Sequence, residues 1–85
     1  MRDSEVKNAG QALAYSLDCQ LATVTTMAQK KSTSKNEYSR QVSIAQKMLD
    51  WCVQFQVDIA TTRGKDVLAS GGNVEKWAAQ YLPTK

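Results

Sequence analysis

The sequence predicts an all-α protein: a long antiparallel helical hairpin plus a short C-terminal helix, assembling into a four-helix bundle by dimerisation. Two observations carry the hairpin, and a third carries the assembly. First, each half of the chain holds one heptad stripe. Val6, Gly10, Leu13, Leu17, Gln20, Val24 and Met27 form one, and Tyr38, Val42, Ala45, Leu49, Cys52, Gln56 and Ile59 form the other. Both step by alternating fours and threes, the spacing that holds one seam of a helix against a neighbour. Second, a short polar segment, Ser32-Thr33-Ser34, separates them. A connection that short makes the helices antiparallel neighbours. Third, the second helix carries more apolar surface than one neighbour can cover.

Helix one is expected over residues 4–29. Asp3 or Ser4 can cap its free backbone N–H groups, and Glu5 favours the positive end of its dipole. Lys30 and Lys31 complement the negative end. Helix two is expected over 36–62. Ser34-Lys35-Asn36-Glu37 has the Ser-x-x-Glu spacing of a capping box. Arg63 then falls in the last turn, and Gly64 stands where a left-handed terminating residue is wanted. Lys65 to Ala69 has room for one or two further turns. Ser70-Gly71-Gly72 breaks the chain, and Asn73 can cap a short helix over 73–82 that Pro83 stops. Val74, Trp77, Ala78 and Tyr81 give that helix one apolar face. All of this reads as one domain spanning residues 1–85.

The faces of the long helices differ. The main apolar residues of helix one (Val6, Leu13, Leu17, Leu21, Val24 and Met27) lie within an arc of roughly 140°. Helix two has a second stripe beside its first: Ile44, Met48, Trp51 and Phe55, extended by Val53 and Val57. Only Arg40, Ser43, Lys47, Asp50, Gln54 and Asp58 form a consistently polar face. The C-terminal helix is expected to fold over the open end of the hairpin, where Trp77 and Tyr81 reach Trp51 and Phe55. Its ten or so residues, about 15 Å, leave Ile44 and Met48 partly bare. A second hairpin related by two-fold symmetry would cover them. A minor stripe on helix one, Ala12, Tyr15, Cys19 and Ala22, offers Tyr15 and Cys19 as further interface residues.

Composition narrows the chemistry. The 85 residues contain no histidine and two cysteines, with 11 Lys and Arg against 8 Asp and Glu, a net charge of +3. Without His or a Cys-x-x-Cys pair a zinc site lacks ligands, and the commonest general base is missing. Asp50, Lys47 and Asp58 read as a solvated charge pattern. Gly64-Lys65-Asp66 lacks the flanking residues of a phosphate loop. No enzyme, metal or cofactor is expected. Cys52 reads as a small core residue and Cys19 as a semi-exposed thiol; on opposite sides of the hairpin, the two are too far apart to bridge. With no signal-like or membrane-spanning apolar run, a soluble cytoplasmic protein is expected.

Three functions fit this inventory. The leading one is a small helical interaction protein that binds a macromolecular partner stoichiometrically, the style of phage or plasmid-borne inhibitors of host machinery. Its contact residues would be Ile44, Met48, Trp51, Phe55, Trp77 and Tyr81, because aromatic side chains dominate such surfaces. The second is a nucleic-acid-binding regulator that grips phosphates with Lys30, Lys31, Lys35 and Arg40 at the hairpin tip. The third is an oligomeric sponge for a cyclic-nucleotide signal, for which Tyr15, Lys30, Lys31 and Arg40 are available.

Overall fold

The computed structural model describes residues 3–59 and 61–83, with side chains from Gly10 onward. Among these residues there are four α-helices and no strand: α1 (Asp3–Gln29), α2 (Lys35–Gln54), α3 (Thr62–Ala69) and α4 (Val74–Ala78), the last continued by a 3₁₀ turn over Ala79–Tyr81. The hairpin of α1 and α2 is the frame. Its register is pinned where Gln20 Nε2 donates to Gln41 Oε1 at 2.6 Å, a polar bond at the edge of the apolar seam. Leu17, Leu21 and Val24 of α1 meet Val42, Ala45, Leu49 and Cys52 of α2 in a seam closed to water. The capping residues expected at Asp3 or Ser4, and Val6 of the first stripe, lie outside the described side chains.

The helix starts and stops show which local signals operate. Ser34 is the N-cap of α2, but its side chain makes no capping bond, so the expected box does not form. Glu37 instead accepts from Gln41 Nε2 at 2.9 Å, an i,i+4 bond along the helix. Asn73 caps α4 as expected, accepting from the Lys76 N–H at 3.0 Å.

The largest departure from the sequence reading is at the end of α2. The helix was expected to run to residue 62 and ends at Gln54. The Gln56 N–H donates to the Val53 carbonyl and the Val57 N–H to the Cys52 carbonyl. That pair of bonds is the Schellman arrangement, and it requires a left-handed residue at Gln56, where φ is 54°. Glycine usually fills this position because a Cβ strains it. α3 ends with the same bonds, Gly71 to Leu68 and Gly72 to Val67, and there Gly71 supplies the positive φ. Replacing Gln56 by Gly is therefore expected to stabilise the protein by about 1 kcal/mol, read from the denaturation midpoint.

Past the break, Val57 passes against Gly10 and Ile59 enters the core. Gly64 and Arg63, expected to terminate helix two, instead sit in the first turn of α3. Arg63 reaches back to Asp18 of α1 at 3.6 Å, and α3 packs along α1. Gly71 and Gly72 then turn the chain so that α4 docks on α2, with the 3₁₀ turn against α1. Gln46 holds this junction from both ends of its amide. Its Nε2 donates to the Gly72 carbonyl at 3.0 Å, and its Oε1 accepts from the Val74 N–H at 2.8 Å. Gln46→Ala leaves both backbone groups without these partners and is expected to cost about 1–2 kcal/mol in chemical denaturation.

This docking overturns the expected position of the C-terminal helix. Taking 100° per residue, Gln46 lies about 170° around α2 from the centre of the Ile44-Met48-Trp51-Phe55 stripe. α4 therefore covers the opposite side of α2 from the one the sequence assigned to it. Trp77, expected on a partner-facing surface, is only 2% exposed and belongs to the core. Its indole N–H donates to Asp66 Oδ2 at 2.6 Å, and its ring meets Tyr81 edge-on at 5.4 Å. Tyr81 is half-buried against the same core.

Candidate interaction face

One side of the hairpin has no cover within the chain. Gln41 faces α1 through its bond to Gln20, so α1 flanks the second stripe along one edge. α4 lies on the far side of α2, at Gln46. Between them the stripe stays open. Trp51 is 58% exposed and Phe55 61%, and their rings meet edge-on at 5.8 Å. Ile44 is 37% exposed, and Met48 is half-buried against the core beside it. The stripe is thus graded in exposure, from Ile44 and half-buried Met48 toward the tip to Trp51 and Phe55 toward the open end. A contiguous apolar strip of this kind is what interaction surfaces display.

The edge of the stripe away from α1 carries charges of both signs. Arg40 and Lys47 project there, about 40° and 60° around the helix from Ile44, and both are exposed. Neither is in an ion pair among the described residues. Two carboxylates lie within a turn of them and balance their charge: Glu37, seven residues before Ile44 on the same side of α2, accepts from Gln41, and Asp50, three residues after Lys47, accepts from Gln46 Nε2 at 3.0 Å.

The remaining sequence candidates are dispersed. Tyr15 is 70% exposed on the far side of α1, and Cys19 is exposed on the same side. Cys52 is a free thiol in the core, and burial raises its pKa. It is therefore held as the unreactive thiol at neutral pH. Burial, and secondarily the Glu75 carboxylate, raises the Tyr38 phenol as well. Lys30, Lys31 and Lys35 are all exposed at the turn between α1 and α2. An open surface depression near that end of α1 is lined by Ala22, Thr23, Thr26, Met27 and Lys30. Among the described residues no cluster of His, Cys, Asp and Glu is placed to hold a metal ion, and no helix is long and apolar enough to cross a membrane.

The fold and the open stripe together define a helical hairpin buttressed on one face by a C-terminal helical segment and left bare on the other. No family model, curated protein or solved structure matches this chain.

Proposed function

We propose that this chain is a small, non-enzymatic helical interaction protein that binds a macromolecular partner stoichiometrically through the open stripe of α2. The observation that carries this reading is the 58% and 61% exposure of Trp51 and Phe55 beside a core that buries every other aromatic side chain at least in part, except Tyr15. Two large rings left in water, Trp51 on α2 and Phe55 at its C-cap, are available for burial against a partner. An inhibitor of host machinery works in this way, by occupying a surface rather than by turning over a substrate.

The double variant Trp51→Ala/Phe55→Ala tests it. The variant is expected to keep its helical signal and lose less than about 1 kcal/mol of stability, since both rings are mostly outside the core. It is expected to lose the partner that the native chain retains from a cell lysate. Retention of the same partner by the variant contradicts the reading.

Homodimerisation of two hairpins into a four-helix bundle is the competing way to cover the same stripe, and the sedimentation mass separates the two. A second function is favoured by the exposed Lys30, Lys31 and Lys35: phosphate contact at the hairpin tip. Binding of nucleic acid that weakens steeply between 50 and about 200 mM salt supports it, and absence of binding at low salt ends it.

A further inference from the structure

We propose that the C-terminal unit of this chain, α3 with α4, exchanges with that of a second copy. The exchange opens a hinge at Gln56. α2 runs on as helix through Ile59, and α3 and α4 dock on the hairpin of the other chain. The proposal goes beyond the interaction reading above and does not depend on what binds the open stripe.

Two observations place strain in the closed hinge. Gln56 holds φ at 54°, a left-handed conformation that its Cβ disfavours, to turn the chain after α2. Gly64 then meets Ile59 so closely that no Cβ fits between them. Both follow from the chain turning back after Gln54. In an uninterrupted helix Gln56 takes ordinary right-handed angles. Ile59 and Gly64, five residues apart, then lie about 140° from each other around the axis. The sequence also suits the open form. No Gly or Pro occurs between Cys52 and Arg63, so nothing local stops a helix there. The heptad stripe continues in register, and on a straight α2 Ile59 falls within about 20° of Cys52.

The exchanged unit holds together by its own contacts. Trp77 of α4 donates to Asp66 of α3, and the Gly72 N–H closes on the Val67 carbonyl at 2.9 Å. Its seat is made by the hairpin: Gln46 takes the Gly72 carbonyl and the Val74 N–H, and Asp18 takes Arg63. A second hairpin offers an identical seat. The exchanged dimer therefore keeps these contacts and differs from two closed chains at the hinge, where the closed form is strained.

The test refolds the native chain, Gln56→Gly and Gly64→Ala at millimolar concentration and separates monomer from dimer by size exclusion. Gln56→Gly relaxes the closed turn and weakens the open helix, so its dimerisation constant is expected to fall about tenfold or more. Gly64→Ala clashes in the closed form alone, and its constant is expected to rise about tenfold or more. Hydrogen exchange over residues 56–59 is expected to be slower in the dimer than in the monomer, because a straight helix ties up those amides. Trp51→Ala is expected to leave the dimer yield unchanged. Equal yields from the native chain and Gln56→Gly overturn the proposal. So does a dimer that Trp51→Ala abolishes, which would be joined through the stripe, or one whose 56–59 amides exchange as fast as the monomer's. Absence of dimer from every chain that shows a helical signal overturns it too. Should Gly64→Ala fail to fold, the ratio of native to Gln56→Gly yields decides in the same way.

Discussion

Trp77→Ala is expected to destabilise the protein by about 3–5 kcal/mol, while Trp51→Ala costs less than about 1 kcal/mol. The contrast follows from where the two indoles sit. Trp77 is in the core between α4 and the hairpin, edge-on to Tyr81, with its N–H donated to Asp66 at 2.6 Å. Truncation removes the ring, opens a cavity that the short α4 cannot collapse into without leaving Gln46, and orphans one Asp66 oxygen. Domains have about 5–15 kcal/mol of total stability, so the loss removes a large share of it, and all of it at the low end of that range. Trp77→Phe retains most of the ring and loses the bond to Asp66, and should fall between the two. Urea midpoints of the three variants check the order. Equal midpoints for Trp77→Ala and Trp51→Ala would place both rings in the same environment and contradict the packing described.

Gly64→Ala is expected to cost about 1–2 kcal/mol, although alanine is the better helix former. Gly64 is in the first turn of α3, and a Cβ there runs into Ile59 Cγ2 and comes within 3.0 Å of Thr61 Oγ1. Ile59 is a core side chain, 6% exposed. Helix propensity offers about 1 kcal/mol in favour of Ala, but overpacking a fixed contact costs about 1–3 kcal/mol and here meets two neighbours. The clash wins. Gly71→Ala is the matched control: nothing lies within 4 Å of its Cβ position, and its φ of 103° leaves only backbone strain, worth about 1 kcal/mol. A Gly64→Ala variant as stable as the native chain would mean that the Ile59 and Thr61 side chains yield to the added Cβ. α3 would then not be anchored as described.

These residues also mark how far the sequence can be read. The α1–α2 hairpin, the connecting turn and the Asn73 cap were legible because each is written in local chemistry: a repeating stripe, a short polar connection, a side chain that reaches its own backbone. The end of α2 was not. Its terminating residue is Gln56, which carries no sign of a left-handed conformation, and the stripe continues through Gln56 and Ile59 as though the helix did. Gly64 offered a conventional terminator eight residues too late, while its real constraint is Ile59, a contact made only after the chain has turned. The two tryptophans show the same limit in the candidate face. Each stands in an apolar helical pattern with aromatic company four residues on. Which one is buried depends on the side of α2 against which the C-terminal segment docks, and Gln46 with Gly71-Gly72 decides that through tertiary hydrogen bonds. The uncovered stripe itself was visible, because an apolar arc wider than one neighbour can cover is a property of α2 alone. That the C-terminal helix contributes nothing to covering it was not visible.

The central claim is that the Ile44-Met48-Trp51-Phe55 stripe stands open in the free chain while the C-terminal segment covers the opposite side of α2. Acrylamide quenching of the Trp77→Phe variant, in which Trp51 is the sole indole, measures this directly across a dilution series. The account predicts quenching close to that of a water-exposed indole at the lowest concentrations. Protection of Trp51 that persists at the lowest concentrations would show that the chain covers its own stripe, and would contradict the account.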